Sequence, residues 1–286
     1  MRILVTGGTG MVGSEVVRLL HGTTHDVHVL TRDPSKGRLP AGVTAVKGDL
    51  REPATVKRIF DGVDATFLLN PVSPTEAAEG LMSVCAMREA GVKRVVYLSV
   101  QDADRAAWLP HFGSKVGVET AIQRSGIPFT ILRPNNFYQN DYFFKDVLLQ
   151  HGVYPQPIGG VGLSRVDVRD IAEAAVAALT TDGHEGRTYD IAGPEPLTGE
   201  QVAAAWGRAL RKSVEYGGND LDAWEAQSLR FMPDWLVYDF RHMYAHFQKS
   251  GLIASAEAIA RQTTLIGHAP RTFEAFAAET AAGWTR

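Results

Sequence analysis

Short apolar runs and helical stretches alternate along the first half of the chain. The apolar runs are rich in β-branched residues and nearly unbroken, as in strands that are covered on both faces. The predicted strands are Arg2–Thr6, Asp26–Thr31, Val43–Lys47, Ala65–Leu69, Arg94–Ser99 and Phe129–Arg133. The helical patterns between them are Met11–His21, Pro53–Phe60, Thr75–Ala90 and Gly113–Ser125. Because successive parallel strands need crossover connections, this alternation predicts an α/β fold with a parallel sheet and helices on both faces.

The segment T-G-G-T-G-M-V-G joins the first strand to the first helix and contains a G-x-x-G-x-x-G motif. Glycines at such a turn let the backbone approach a pyrophosphate, whose charge meets the N-terminus of the helix. The simpler interpretation is a tight turn that needs a positive φ and binds nothing. Its place after the first strand of an alternating fold favours a dinucleotide site in a Rossmann-type, doubly wound sheet. The predicted cofactor contacts are Thr6, Gly7, Gly10, Met11, Val12 and Gly13.

The pattern changes after Arg133. An aromatic stretch with several Pro and Gly is followed by two strand–helix patterns, and Thr198 has the N-cap position of the second helix. We predict a dinucleotide-binding domain at residues 1–150, to which residues 163–195 return, and a smaller, mostly helical substrate lobe at residues 196–286. No Ser- or Gly-rich linker separates the two, so the lobe is expected to pack on the sheet domain.

Further motifs follow the glycines along the chain. V-L-T-R-D-P, G-D-L and S-K-x-x-x-E occur in that order, together with the segments Ser125–Phe137 and Val166–Ala172. This combination resembles the atypical short-chain dehydrogenase/reductase superfamily and, within it, the NmrA-like branch. The branch includes quinone reductases, triphenylmethane-dye and azo-dye reductases, and regulators that sense the cofactor. The resemblance therefore implies a Rossmann-type fold that binds NAD(P)H.

The residues after the second strand bear on the choice between NADPH and NADH. An NAD-selective site places Asp or Glu at the end of strand two, where it binds the ribose 2′-hydroxyl. Arg32 has that position here, and its guanidinium suits a 2′-phosphate, with Lys36 near enough in sequence to assist. Asp33 is a rival that would serve NAD, but the following Pro34 is typical of a turn. We expect NADPH as the cofactor and NADH as the weaker one; a solvated loop charge is the alternative for Arg32.

Two other segments end strands at the carboxyl edge, where sheets of this kind bind ligands. The resemblance places Asp49 and Leu50 near the adenine, and a turn that only ends the strand is the alternative. Leu69, Asn70 and Pro71 end the fourth strand. Their backbone is predicted to line the adenosine ribose and the pyrophosphate.

The candidate catalytic residues depart from the superfamily pattern. Ordinary members use Y-x-x-x-K with an upstream Ser, but none of the eight tyrosines has a Lys four residues later. By resemblance, His111 of H-F-G-S-K has the Tyr position, Lys115 the Lys position and Ser99 the Ser position. Histidine suits a general acid near neutral pH, whereas the start of a helix disfavours its positive charge. Lys115 is predicted to bind the nicotinamide ribose, with Glu119 as its partner; a solvated helix lysine is the alternative.

The missing tyrosine does not by itself abolish reduction. The cofactor carries out hydride transfer, and the protein supplies position and electrostatics. A quinone or a cationic dye accepts hydride readily and takes its proton from water. The aromatic segment after strand six is predicted to line a flat pocket for such a small planar or conjugated substrate. The substrate candidates are Asn135, Asn136, Phe137 and Tyr138; an equally weighted alternative packs these aromatics into a core between the lobes.

Composition excludes several other classes of protein. The 286 residues carry a net charge of −3, so no overall field attracts nucleic acid or an anionic membrane. No apolar run is long enough to span a bilayer, and the first one is too short for a signal peptide, so we expect a cytoplasmic protein. The single cysteine, Cys85, excludes an internal disulfide and is expected in the core. His242 and His246 lack the spacing of a zinc site, and no metal is expected.

Two functions from different classes follow from these residues. The leading hypothesis is an NAD(P)H-dependent oxidoreductase that prefers NADPH and reduces a quinone-like, azo or other conjugated acceptor by hydride transfer. The alternative is a non-enzymatic regulator that senses NADP(H), which the missing tyrosine favours. A third and weaker hypothesis is an enzyme that acts on a nucleotide sugar or a phenylpropanoid. Epimerases of the extended family need the Y-x-x-x-K that is absent here, whereas a phenylpropanoid reductase can rely on Lys115. The oligomeric state stays open.

Overall fold

The structure is a computed structural model, and it describes residues 1–35 and 39–284. The strands are β1 (Arg2–Val5), β2 (Asp26–Thr31), β3 (Thr44–Lys47), β4 (Ala65–Leu68), β5 (Arg94–Leu98), β6 (Phe129–Pro134), β7 (Val153–Tyr154), β8 (Arg187–Ile191) and β9 (Glu215–Tyr216). The α-helices are α1 (Met11–Leu20), α2 (Pro53–Ile59), α3 (Glu76–Glu89), α4 (Pro110–Arg124), α5 (Val168–Thr180), α6 (Gly199–Leu210), α7 (Leu221–Ser228), α8 (Asp234–Ser250), α9 (Ala256–Ile266) and α10 (Phe273–Trp284).

The chain divides into two compact units. Unit 1 comprises Met1–Pro134 and Val168–Asp190, and unit 2 comprises Asn135–Asp167 and Ile191–Arg286. The boundary after the first long segment therefore falls at residue 134, earlier than the predicted 150. The reason is the backbone that follows β6. Asn135 N donates to Ile191 O at 2.9 Å and Tyr138 N to Val166 O at 2.8 Å, and these bonds lie within unit 2.

Unit 1 is built on a seven-stranded sheet in the order β3-β2-β1-β4-β5-β6-β8. The pairings of β1 with β2 and β4, of β2 with β3, of β4 with β5, and of β5 with β6 are all parallel. The chain first builds outward from β1 to β3 and then continues on the other side of β1 with β4. The strand order therefore reverses beside β1, and a crevice for a ligand is expected beyond the carboxyl ends of β1 and β4. The predicted doubly wound sheet is confirmed.

Both faces of this sheet are covered by helices. Side chains of α2, α3 and α4 pack with Leu4 and Val95 in one core cluster. Ile3 and Val5, also fully buried, point to the opposite face because side chains alternate along a strand. There α5 packs on β4, β5 and β6 and against α1. Each predicted element of the first half is present with its ends shifted by a few residues at most, and α4 begins at Pro110 because proline is well tolerated at the first helical position.

The predicted burial of Cys85 is wrong. Cys85 lies in α3 but is exposed to solvent. Its neighbours Val84 and Ala86 are buried, as is Met87. The apolar composition of the helix therefore did not identify which of its faces meets the sheet.

Unit 2 is mostly helical, as predicted for the end of the chain. Its core is aromatic, with Tyr138, Trp206, Phe273 and Phe276 fully or almost fully buried. Thr198 is the N-cap of α6, accepting from Gln201 N at 3.2 Å while the Gln201 side chain accepts from Thr198 N. Strands β7 and β9 form a separate two-stranded sheet.

The segment that links β6 to α5 differs from its prediction. It forms a 3₁₀ helix at Tyr138–Phe144 and a π-helical turn at Val147–His151, which ends at Gly152 in the left-handed region with φ +61°. The strand predicted just before α5 is absent there, and Val166 meets Phe137 in an isolated bridge only. Arg165, fully buried beside it, binds both carboxylate oxygens of Asp141, at 2.7 and 3.2 Å. None of the described helices is long and apolar enough to cross a bilayer.

Candidate active site

The glycine segment between β1 and α1 forms a tight turn that only small residues fit. Gly7 is in the left-handed region with φ +64°, and Gly10 N donates to Gly7 O at 2.9 Å. A Cβ on Gly13 would lie 2.2 Å from Gly7 O, a distance that no real contact permits. Each motif glycine is therefore required for a different reason. Gly7 adopts a left-handed backbone, Gly10 closes the turn, and Gly13 lets α1 approach Gly7 closely.

The N-terminus of α1 is open to a ligand. Gly10 is the N-cap, no side chain caps the helix, and its first turn contains no acidic residue. The first N–H groups of a helix lack intrahelical partners and carry partial positive charge. Met11 at this end is 36% exposed, whereas Val12 and Gly13 are buried against the sheet. The turn thus fits an anionic group such as a pyrophosphate.

Thr6 braces the floor of the crevice rather than facing it. Its hydroxyl accepts from Leu69 N at 2.7 Å and donates to Leu69 O at 2.8 Å. Thr6 is 1% exposed. Its side chain ties the end of β1 to the end of β4, so only its backbone could serve a cofactor.

The loop after β4 contains an unsatisfied buried amide. Asn70 is 4% exposed, and neither its Nδ2 nor its Oδ1 has a hydrogen-bond partner among the described residues. Unpaired buried polar groups are rare, because each loses its bonds to water without replacement. Leu69 covers Gly7, with its Cδ2 2.8 Å from where a Cβ of Gly7 would be, and Pro71 is exposed. Together with the glycine turn, the orphaned amide fits a polar ligand at this edge.

Arg32, the first residue after β2, presents its charge at the carboxyl edge of the sheet. Arg32 is exposed and forms no ion pair within the described ranges. Asp33 is turned into its own loop, where its Oδ1 accepts from Ser35 N at 3.0 Å and from Ser35 Oγ at 2.6 Å. The local turn predicted for Asp33 is thus present. Lys36 lies outside the described residues.

The two predicted contacts after β3, Asp49 and Leu50, have their side chains engaged within the protein. Leu50 is buried in the core cluster of α2, α3 and α4, so its side chain does not face the crevice. The Asp49 carboxylate binds Arg51 through Oδ1–Nε at 3.0 Å and Oδ2–Nη2 at 2.5 Å. The Arg51 hydrogen bonds lower the pKa of Asp49 to about 2, and the charge of Arg32 adds to this.

Lys115 lies in a buried charged cluster at the carboxyl end of β5. Its Nζ donates to Oε1 of Glu76 at 2.6 Å and is 3.5 Å from the carbonyl oxygen of Leu98, the last residue of β5. Lys115 and Glu76 are 7% and 1% exposed. Nζ is also 5.8 Å from the centre of the Tyr97 ring. Burial, and then the charges of Glu76 and Glu119, raise the pKa of the Tyr97 phenol well above its usual value.

A second buried network occupies the next helical turn of α4. Ser99 donates a short hydrogen bond to Oε1 of Glu119, and Arg133 binds both oxygens of the same carboxylate. The predicted pairing of Glu119 with Lys115 is therefore wrong, because each has another partner. Ser99 is 3% exposed, and its hydroxyl proton is committed to Glu119.

Sequence reasoning missed two members of these networks, Glu76 and Arg133. Glu76 comes from α3, 39 residues before Lys115, and Arg133 from β6, 14 residues after Glu119, so no helical spacing reveals either contact. A signal does exist for Glu76, which is an acidic residue in the first turn of a helix that follows a strand of the sheet.

His111 stands at the second position of α4 and is half-buried. Its ring packs edge-on against Phe112, with 4.8 Å between ring centroids. His111 and Lys115 are four residues apart on α4, so they share a face of the helix. The structure thus places His111 near Lys115 on one surface, without showing a role for its imidazole.

The four predicted substrate residues belong to unit 2, where most are engaged. Asn135 donates to Leu252 O at 2.7 Å, and Asn136 Oδ1 accepts from Arg165 at 2.9 Å. Phe137 precedes the 3₁₀ helix, and its carbonyl accepts from Arg165 at 2.8 Å. Tyr138 is 1% exposed and packs on Phe273. Tyr138 therefore belongs to the aromatic core of unit 2, and the predicted substrate contacts stay predictions.

The fold and the site together define the class of protein to which the chain belongs. A glycine turn at the point where a doubly wound sheet reverses, with an open helix N-terminus and an arginine after β2, is typical of Rossmann-type dinucleotide-binding proteins. Within that class the chain belongs to the NmrA-like family, whose model matches residues 1–277. The family predicted from the motifs is therefore confirmed.

Several relatives are similar over almost their whole length. An NAD(P)H azoreductase of Xenophilus azovorans is 35% identical over 286 residues, with 99% of each chain covered. A (4-alkanoyl-5-oxo-2,5-dihydrofuran-3-yl)methyl phosphate reductase of Streptomyces griseus is 33% identical, with 97% of each chain covered. Among solved structures, an NADPH-dependent quinone oxidoreductase of Escherichia coli in complex with NADPH superposes with a TM-score of 0.87 at 26% identity, covering 99% of this chain and 100% of that one.

Proposed function

We propose that the protein is an NAD(P)H-dependent oxidoreductase that prefers NADPH and reduces a small conjugated acceptor. The observation that carries the proposal is the open glycine turn, with an exposed Arg32 after β2 that forms no ion pair with any other described residue, in a chain with near-full-length relatives that are named reductases. When bound, the cofactor supplies the hydride. The chain supplies binding, orientation and electrostatics.

The geometry of unit 1 supports a set of proposed cofactor contacts. Backbone N–H groups of the Gly7–Gly13 turn and the N-terminus of α1 hold the pyrophosphate. The loop of Leu69, Asn70 and Pro71 lines the adenosine ribose, and the orphaned Asn70 amide is the polar group available to it. The segment after β3 contributes its backbone and Asp49 near the adenine, because the side chain of Leu50 is buried.

NADPH is favoured over NADH by charge. Arg32 offers an exposed guanidinium after β2, without an ion-pair partner among the described residues, where a 2′-phosphate would lie. Asp33, which would serve the 2′-hydroxyl of NADH, binds Ser35 instead. The Asp49 carboxylate near this position is neutralised by Arg51, which reduces its repulsion of a phosphate. Lys36 stays a prediction.

The substrate class follows from what the site lacks. A carbonyl without conjugation needs a proton donor as hydride arrives, and the tyrosine expected for that task is His111 here. Ser99 cannot replace it, because its proton is committed to Glu119. A quinone, an azo group or an unsaturated ring conjugated to a carbonyl accepts hydride without a dedicated acid and is protonated by water. The three named relatives are described as reducing acceptors of these kinds.

The test is turnover across a panel of acceptors. Purified protein is mixed with NADPH or NADH and with quinones, azo dyes and unsaturated lactones, and loss of reduced-cofactor absorbance is followed. We expect turnover with at least one acceptor and a higher kcat/KM for NADPH. Tight binding of NADPH without turnover on any acceptor would instead favour the non-enzymatic NADP(H)-sensing function.

A further inference from the structure

The ion pair between Lys115 and Glu76 is unusual because both charged side chains are buried. Both side chains are almost fully removed from solvent, and the Nζ–Oε1 distance is 2.6 Å. Taking two charges out of water costs free energy that their attraction does not reliably restore, so an apolar pair of similar volume is often at least as stable. Stability alone is therefore a poor reason for this pair, and its place in the fold points to another reason.

The pair lies where the proposed cofactor would present its nicotinamide half. Lys115 Nζ is 3.5 Å from the carbonyl of Leu98, at the carboxyl end of β5. Ligands of doubly wound sheets bind beyond this edge. On the proposed function, Lys115 is the group that binds the nicotinamide ribose, and Glu76 is the only charged side chain bonded to it in the described part of the chain.

We propose that Glu76 is a positioning residue that fixes the ammonium of Lys115 toward the nicotinamide ribose. This inference rests on the proposed function and adds a residue to its site. A lysine side chain is long and flexible, so a free Lys115 would lose entropy each time it bound the ribose. One bond to Glu76 holds the side chain in place and leaves other Nζ protons for the ligand.

Two features of α3 suit Glu76 to this task. Glu76 is the first residue of the helix, where the partial positive charge of the N-terminus stabilises a carboxylate. Its second oxygen, Oε2, is buried and has no hydrogen-bond partner among the described residues. The carboxylate is therefore not shared with a competing donor in this region, and it is directed to Lys115.

The experiment separates positioning from a merely structural role by using two ligands. NADPH contains the nicotinamide ribose, whereas adenosine 2′,5′-bisphosphate contains the adenosine and phosphates alone. Dissociation constants for both are measured for the wild type, Glu76→Gln, Lys115→Met and the double variant. Glu79→Gln is the matched control, since Glu79 is 3% exposed in the same helical turn but binds Ser73 and Thr75. Thermal unfolding confirms that each variant is folded.

We expect Glu76→Gln to weaken NADPH about tenfold, the loss typical of one hydrogen bond to a charged group, and to leave adenosine 2′,5′-bisphosphate unchanged. In the Lys115→Met background the same change should have no further effect on NADPH, because the residue acts through Lys115. Glu79→Gln should alter neither ligand. If Glu76→Gln does not fold, Glu76→Asp keeps the charge, withdraws it by one methylene and should give the same selective loss.

Two other outcomes would contradict the proposal. Equal weakening of both ligands, or additive losses in the double variant, would show that Glu76 acts on the fold and would overturn the positioning role while leaving the proposed function intact. No binding of either ligand by the wild type would overturn the proposed function, and the inference with it.

Discussion

Glu119 binds Arg133 through two hydrogen bonds, Oε1–Nε at 3.0 Å and Oε2–Nη2 at 2.7 Å. One helical turn earlier on α4, Lys115 binds Glu76. The two acid–base pairs are thus separate, and His111 is one helical turn before Lys115 on α4. This division assigns different tasks to residues that stand close together in the sequence, and it can be tested by substitution.

Substitutions of Lys115 and His111 should have unequal effects on turnover. Lys115→Ala removes the group proposed to bind the nicotinamide ribose and should lower kcat/KM for NADPH at least tenfold. A general acid contributes about 100-fold or more, so a change below about threefold in His111→Ala excludes that role. Steady-state kinetics with one quinone acceptor measure both. A large loss in His111→Ala alone would restore the histidine as the proton donor.

Replacing Arg32 should change the cofactor preference. A guanidinium that grips a phosphate with two hydrogen bonds is worth about 10- to 100-fold in affinity. Arg32→Ala should therefore weaken NADPH by about that factor and NADH by less than about threefold. The matched control is Arg124→Ala, since Arg124 is exposed in the last turn of α4, at the opposite edge of the sheet. Equal losses for NADPH and NADH in fluorescence titrations would remove Arg32 from the site.

A methyl group on Gly13 should disrupt the turn. Its Cβ would lie 2.2 Å from Gly7 O, and backbone atoms have little freedom to move aside. Overpacking of this kind costs about 1–3 kcal/mol, so Gly13→Ala should lower the Tm by several degrees and weaken NADPH binding. Gly117→Ala is the control, because open space surrounds that helical glycine and the change should be neutral or stabilising by up to about 1 kcal/mol. Identical Tm values for the two variants would contradict the geometry.

The ion pair of Asp49 and Arg51 should make stability depend on pH in the acid range. Arg51 lowers the pKa of Asp49 to about 2, below its value in the unfolded chain. The stabilisation is therefore full above about pH 4 and is lost as the pH falls towards 2. Urea unfolding of Asp49→Asn should show a shallower decline in this range than the wild type.

This effect should shrink at high salt, because Arg51 is more than half exposed and its charge is screened. Asp61→Asn serves as the control, since Asp61 is exposed and makes no ion pair within the described ranges. Parallel pH profiles for the wild type and Asp49→Asn would rule out the linkage.

Much of unit 1 could be predicted because its signals are local. A continuous apolar run identifies a buried strand, and three glycines at fixed spacing identify the turn after β1. The pairing of Lys115 with Glu76 could not be predicted, since it depends on how α3 packs against α4 across 39 residues of sequence. The spacing rule favoured Glu119 instead, but Arg133 and Ser99 already occupy that carboxylate.

The start of unit 2 shows a different limit. The aromatic segment Asn135–Phe144 was compatible with a substrate pocket or a core, because both need large apolar side chains. Tyr138 proved to be buried against Phe273, while Phe143 is 78% exposed. Composition identified the kind of residue, but the irregular 3₁₀ and π turns decide which side each one faces. Neither turn has a clear sequence pattern.

The hydroxyl of Thr6 has a consequence for the energetics of binding. It joins β1 to β4 beside the glycine turn by bonds to Leu69 N and O, both of which are made within the chain. The conformational entropy of this part of the crevice is therefore lost when the chain folds and not when a dinucleotide arrives. The glycine turn is in this sense a preorganised receptor, whose ordering is part of folding.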